Sequence, residues 1–291
     1  MLCTNCRRQT ATDGDGRCVA CLSTKSQPYA APSHGQEPGL TPVVRAPAPL
    51  VLLSPVGLGR AVMVLLGVVA LADVAVIAAV LDVRALFEPL ADGDFPAITQ
   101  AEAERADSFM LLTSTLQLTA YVATAVVFVI WFHRVRTIAG VLAPDLLTRG
   151  PGWTIGAWFI PVANLWIPRG IAAEVWTASR SSPYASATSE PRTPVNLWWA
   201  GFLVTWFATR FADRRYSDAQ EPDEIVSATG LLVGAAAVDI AAAAFAIHFV
   251  HRLTAMQRAR AEERAAAWRT GQPPAGATPT GQETPVPPMP Q

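Results

Sequence analysis

Lysine is almost missing from this chain: Lys25 stands alone against 21 arginines. With the abundance of alanine and proline, that imbalance reads as a GC-rich coding bias, without functional meaning. Charged residues of every kind reach 15%, where a soluble domain usually carries about 25%, and the deficit points to lipid. The formal net charge of −1 excludes a general electrostatic attraction to nucleic acid. Cysteine is absent after position 21. No metalloprotease helix, P-loop, GxSxG elbow or dinucleotide fingerprint occurs, so no motif here carries a reaction and an enzyme is not expected. No signal peptide is visible; the chain opens on a cysteine cluster, without a basic stretch followed by an apolar run.

What the chain has in quantity is apolar sequence, at 51%. Four runs can span a bilayer, which takes about 20 residues: 61–81 with Asp73, 109–132 without a charge, 193–209, short but uncharged, and 230–250 with Asp239 and His248. Backbone groups in lipid must pair internally, so each run predicts a helix. A fifth run, 150–168 (GPGWTIGAWFIPVANLWIP), is broken by Pro151, Pro161 and Pro168 and reads as re-entrant or interfacial. With four spans and the N-terminus inside, Lys and Arg divide 17 inside to 5 outside; a fifth span gives 12 to 10. The positive-inside rule therefore favours four. Trp131, Trp153, Trp158, Trp166, Trp176, Trp198 and Trp199 then fall at or near the cytoplasmic interface, where an apolar ring with one N–H is favoured. Residues 169–180 predict a short helix on that face, with Ile171, Val175 and Trp176 dipping into lipid. The fourth span predicts a basic helical continuation into the cytoplasm. The outer segment 82–108 is acidic, which topology and solubility explain.

The predicted organisation is a four-cysteine module at 1–21, a Pro/Ala/Ser/Gly linker at 22–56, a four-span membrane domain with its cytoplasmic helical extension at 57–269, and a disordered Pro-rich tail at 270–291. By random-coil scaling the linker's ends lie on the order of 30 Å apart. The expected fold class is an all-α integral membrane protein: four transmembrane helices, an interfacial or re-entrant segment, and a small N-terminal zinc ribbon. It would lie in the cell membrane with both termini cytoplasmic.

Cys3-x2-Cys6-x11-Cys18-x2-Cys21 is the strongest chemical signal. Two CxxC knuckles offer four soft thiolates, which suits structural, tetrahedral Zn²⁺. Glycines in the 12–16 stretch permit the reversal that would join the knuckles. Two disulfides or a redox pair are the competing reading, and a cytoplasmic N-terminus disfavours disulfides. Asp73 and Asp239 each lie roughly 17 Å from the inner end of their spans, near the midplane. A carboxylate there needs a partner, water or a proton; it either serves a proton or cation site between the first and fourth helices, or only packing. Were the two close, they would share a proton. Gly230 and Gly234, continuing through Ala237, Ala241 and Ala244, suit close helix packing inside the monomer or, alternatively, a homodimer seam. His133, His248 and His251 lie near the inner boundary with no accompanying Cys or carboxylate cluster and read as packing or snorkelling groups, with haem or metal ligation the remote alternative.

Three stretches taken together, VIWFHRVRTIAGVLAP at 129–144, PGWTIGAWFIPVANLWIPRGIAAEVWTAS at 151–179 and VNLWWAGFL at 195–203, resemble the bacterial membrane-protein family called domain of unknown function 4328. The resemblance covers roughly residues 60–260. Its most specific part holds Trp158, Pro161, Asn164, Trp166 and Pro168. It implies a multi-span membrane domain, often joined to zinc-ribbon or Pro-rich segments, and brings no catalytic residues.

Two functions are compatible with these features. One is a scaffold or sensor whose tethered zinc module engages a cytoplasmic protein partner. The other is a small transporter or proton- or cation-conducting protein using Asp73 and Asp239. Membrane lipid is a partner in both; nucleic acid is expected in neither.

Overall fold

The structure is a computed structural model and describes residues 55–94, 98–185 and 190–270. All belong to the second of two units, Pro49–Gln291, into which the chain divides. The four cysteines, the linker up to residue 54 and the tail from 271 lie outside the described residues.

Among the described residues the structure is all helical. Helix α1 runs Val56–Ala91, α2 Gln100–Leu142, α3 Trp153–Gly156, α4 Ile167–Ser179, α5 Thr193–Asp218 and α6 Pro222–Arg269. Each boundary has a local cause. Gly93, at φ 86°, makes the left-handed turn after α1 that only a residue without Cβ adopts freely. Thr99 opens α2 with a capping box: its side chain accepts from the Glu102 N–H, and the Glu102 carboxylate accepts from the Thr99 N–H at 2.9 Å. That backbone bond, joined by the Thr99 hydroxyl, holds the Glu102 carboxyl below the usual carboxylate range. Prolines open α4 and α5 in the first turn, where the missing N–H costs nothing. The prolines of 150–168 confine that run to the four-residue α3 and a 3₁₀ turn at Ala163–Leu165.

Three helices are long and apolar enough to cross a membrane: Val56–Ala91, Gln100–Leu142 and Pro222–Ala267. The protein is thus an all-α membrane protein. Outward faces are apolar as well; Leu71 and Leu111 are 72% and 71% exposed. Helix α5 falls short by composition, because Arg210, Asp213, Arg214 and Arg215 follow its apolar half. At 1.5 Å per residue α6 is roughly 72 Å long, more than twice the hydrocarbon thickness. Its last turns pack back on the domain, with Arg264 donating to the carbonyls of Val141 and Leu142.

The long helices form a curved layer in the order α2, α1, α6, α5, each packed on the next. The pairing of α1 with α6 is antiparallel: Gly59 meets Thr254, and Arg84 reaches the carbonyl of Val226. A Cβ on Gly59 would lie 2.8 Å from the Thr254 hydroxyl, and one on Gly201 would lie 3.1 Å from Cβ of Ala242. Glycine at these two positions is what lets α1 and α5 approach α6 so closely. The outer two helices, α2 and α5, barely approach one another along their backbones.

One end of the layer is closed by an aromatic core. Trp131, Phe132, Trp176, Trp198, Trp199 and Phe249 are all buried there. Trp198 stacks on Phe249 at 4.7 Å between ring centroids, and Phe128 bridges to Trp198 at 5.7 Å. Offset and edge-on ring pairs contribute about 0.5–1.5 kcal/mol each beyond their area. Trp131, Trp176, Trp198 and Trp199 are core residues that meet other protein side chains, because a flat ring with one N–H fits a protein interior as well as a headgroup layer. Ile171, Val175 and Trp176 of α4 likewise face protein, at 1% exposure or less, and do not dip into lipid. Trp153 and Trp166 are exposed.

Candidate intramembrane carboxylate site

Asp73 sits in the middle of α1 and is completely buried; Asp239 sits in the middle of α6 at 8% exposure. The antiparallel register of α1 on α6 brings them face to face, with the two carboxyl groups within hydrogen-bonding reach of each other. Gln117 of α2 completes the site, its Nε2 donating to Asp73 Oδ1 at 2.6 Å. The Oδ2 atoms of both aspartates are buried with no donor. A carboxylate has no proton to give, so two in contact are satisfied only by a proton or an outside donor.

These groups lie in the wall of a cavity of about 1070 Å³. Helices α1 and α6 form its floor, α2 and α5 its sides, and the aromatic core closes one end through Phe128, Trp158 and Trp198. Toward the other end stand Arg210, Asp213 and Tyr216 of α5. Thr205, also in the wall, has a buried hydroxyl with no partner. Chemically, the site can hold a proton between two carboxyls or bind a group that donates hydrogen bonds.

A separate polar seam ties the broken segment to the helices. Nδ1 of His133 and the Thr154 hydroxyl are hydrogen-bonded at 2.9 Å, and that hydroxyl donates to the carbonyl of Pro151. Glu174 of α4 accepts from the Thr148 N–H at 3.2 Å and from its hydroxyl at 2.6 Å. Arg136 donates to the carbonyl of Arg149. Gln257 of α6, 1% exposed, donates to the carbonyl of Val135 and to Ser179. His248 and His251 are exposed. Among the described residues no group of three or more His, Cys, Asp or Glu side chains is placed to hold a metal ion.

The quoted motif residues divide. Trp158 packs edge-on against Phe128 and Phe202 and reaches the cavity wall. Pro168 is buried at the start of α4, and Pro161 is exposed. Asn164 closes a turn through its N–H to the carbonyl of Ile160 at 2.9 Å, while its side-chain oxygen is buried without a partner. The small-residue stripe behaves differently from the packing inside the monomer that its spacing favours. Gly230, Gly234, Ala237, Ala241 and Ala244 all lie on the exposed side of α6, while Ala235, Ala236, Asp239, Ala242 and Ala243 face inward. Two interleaved alanine faces share this helix, and spacing alone does not tell which one the fold uses. Gln117 and Thr205 are site residues that the sequence reading passes over; the available signal was an amide in an otherwise uncharged span.

The chain matches the family described as Domain of unknown function (DUF4328) over residues 94–255. The match holds α2 to α5 and α6 as far as residue 255, with Gln117 and Asp239, and starts after α1 and Asp73. It is shorter at its N-terminal end than the span over which the motifs carry the resemblance. No curated protein and no solved structure matches.

Proposed function

The chain belongs to the DUF4328 family, whose description carries no activity, and we propose a function from the site itself: a small non-enzymatic transporter or cation-conducting protein in which Asp73 and Asp239 take up and release a proton or cation. The observation that carries this reading is the contact between the two buried aspartates in the wall of one cavity, with Gln117 donating to the pair. Ionisable groups at membrane depth are costly and persist where a pathway uses them.

A fourth crossing is part of the same proposal. Helix α6 begins beside the end of α1, through Arg84 and Val226, and α2 ends beside the far half of α6, through Leu142 and Arg264. Helix α5 must carry the chain back over the same thickness, and we place it as the fourth span. Residues 150–168 are then an interfacial or re-entrant segment, with Phe159 and Val162 exposed to lipid. Both termini lie on the cytoplasmic side of the plasma membrane in this arrangement.

The test is ion flux in proteoliposomes holding the full chain, read with an internal pH dye under an imposed potential. Asp73→Asn and Asp239→Asn each abolish the flux while leaving expression and the detergent elution profile intact. Flux in both variants equal to that of the parent sinks the proposal.

A second reading is favoured by one observation, the spacing of Cys3, Cys6, Cys18 and Cys21. It makes residues 1–21 a structural Zn²⁺ module that engages a cytoplasmic protein. Elemental analysis of the purified chain gives one zinc per protein, lost on Cys3→Ser with Cys6→Ser; a zinc-free parent rules this module out.

A further inference from the structure

Building on the transport reading, we infer that the groove between α2 and α5 is a binding site for an amphipathic organic ammonium ion. Its N–H donors reach the unpartnered oxygens of Asp73 and Asp239, and its apolar body lies against Tyr121, Phe128, Trp158 and Trp198.

Four observations meet at this place. First, the two Oδ2 atoms are acceptors without donors, on side chains more than nine-tenths buried, in the wall of the cavity. A ligand that fills this deficit must donate hydrogen bonds, and an ammonium N–H next to a carboxylate makes the stronger, charge-assisted kind. Secondly, the ionisable groups facing the cavity are unequal: Asp73, Asp213 and Asp239 stand against Arg210, and with one proton shared between Asp73 and Asp239 the excess is still one negative charge. The excess favours a cation and repels a carboxylate or phosphate ligand. Thirdly, the cavity is too large for a proton or a bare metal ion alone. Its volume of about 1070 Å³ lies just above the roughly 300–1,000 Å³ range of drug-sized ligand sites, and its walls are dominated by aliphatic and aromatic side chains. Aromatic faces attract a desolvated organic cation in addition to packing on its apolar part. Fourthly, α2 and α5 barely approach each other away from the aromatic core. That leaves the groove open laterally, so an amphipathic amine already in the bilayer can enter it from the side.

The inference ties Thr205 to the same ligand. Its buried, unpartnered hydroxyl lies in the wall of the same cavity and offers one further acceptor to an ammonium group.

The experiment uses the full chain in detergent and three probes of one shape: 4-phenylbutylamine, 4-phenylbutanol and 4-phenylbutyrate. Calorimetric titration gives saturable binding of the amine, with the alcohol and the acid weaker by about thirtyfold or more, the loss expected when one partner of a buried charged hydrogen bond is removed. The Asp73→Asn, Asp239→Asn double variant loses amine binding to the same degree. Because that variant could fail to fold, a second measurement uses the parent chain. A hydrophobic carbodiimide modifies buried carboxyl groups, and peptide mass spectrometry locates the adduct. For this measurement the amine is N,N-dimethyl-4-phenylbutylamine, whose tertiary nitrogen cannot form an amide with the activated carboxyl; it protects Asp73 and Asp239 from modification, whereas the alcohol does not. Equal binding of amine and alcohol, or equal protection by both, overturns the inference. Aspartate-dependent flux without amine binding would remove the ammonium site and leave the transport reading standing. Amine binding that depends on the aspartates, in a protein without flux, would do the reverse.

Discussion

Gln117 shows how much of the carboxylate site hangs on one neutral side chain. It donates the 2.6 Å hydrogen bond that Asp73 receives across from α2. Gln117→Leu keeps the volume and removes the donor, leaving a buried oxygen with nothing in place of water. A buried acceptor left unsatisfied costs about 1–3 kcal/mol, more if it is charged. The expected outcome is a lower Tm in detergent together with impaired flux; an unchanged Tm would mean that the amide does not hold the site. The two aspartates were legible from the sequence because a charge inside an apolar run contradicts its surroundings. Gln117 was not, because an uncharged amide among threonines and leucines leaves the run looking ordinary. The burial of the tryptophans was not legible for a related reason: their chemistry is the same whether the ring meets lipid or another ring, and only packing separates the cases. The pairing of Asp73 with Asp239 was conditional in the sequence, since equal depth on two helices does not say that the helices are neighbours.

Among the helices, close approach decides what packs. No hydrophobic driving force holds helices together in lipid, so their association depends on contact, and small residues permit contact. The sequence points to Gly230 and Gly234 for this role, by their four-residue spacing. In the fold that role falls to Gly59 and Gly201, single glycines opposite Thr254 and Ala242. A lone glycine has no spacing signal, so these two could not be picked out from one chain. Gly201→Leu drives a branched side chain into the backbone of α6, where even a Cβ would stand 3.2 Å from Cα of Ala242. Overpacking of this kind costs about 1–3 kcal/mol or more. Gly67→Leu is the control, since nothing lies within 4 Å of a Cβ at Gly67 and leucine is the better helix former. Thermal unfolding in detergent separates the two: Gly201→Leu lowers Tm, and Gly67→Leu leaves it unchanged or raised. Equal losses would mean that α5 does not depend on this contact.

At the scale of the whole molecule, the order α2, α1, α6, α5 leaves the two outer helices apart except at the aromatic core, and a layer of helices open along one side is an uncommon way to enclose a polar pair. The arrangement makes sense in a bilayer, where lipid covers what water would otherwise reach. It also fixes a topology that can be measured. If α5 crosses, Asp92 and Gln220 lie outside, while Ala185 and the four native cysteines lie inside. A membrane-impermeant maleimide applied to intact cells then labels Asp92→Cys and Gln220→Cys, and labels Ala185→Cys and the parent chain only after lysis. If α5 instead stayed on one face, α6 would begin on the cytoplasmic side and Gln220→Cys would be silent in intact cells while Asp92→Cys reacted. That outcome would also break the antiparallel register of α1 on α6, because both ends of the Arg84–Val226 contact must share one side of the membrane. The position of a single introduced thiol at residue 220 therefore tests the fourth span and the face-to-face placement of Asp73 and Asp239 together.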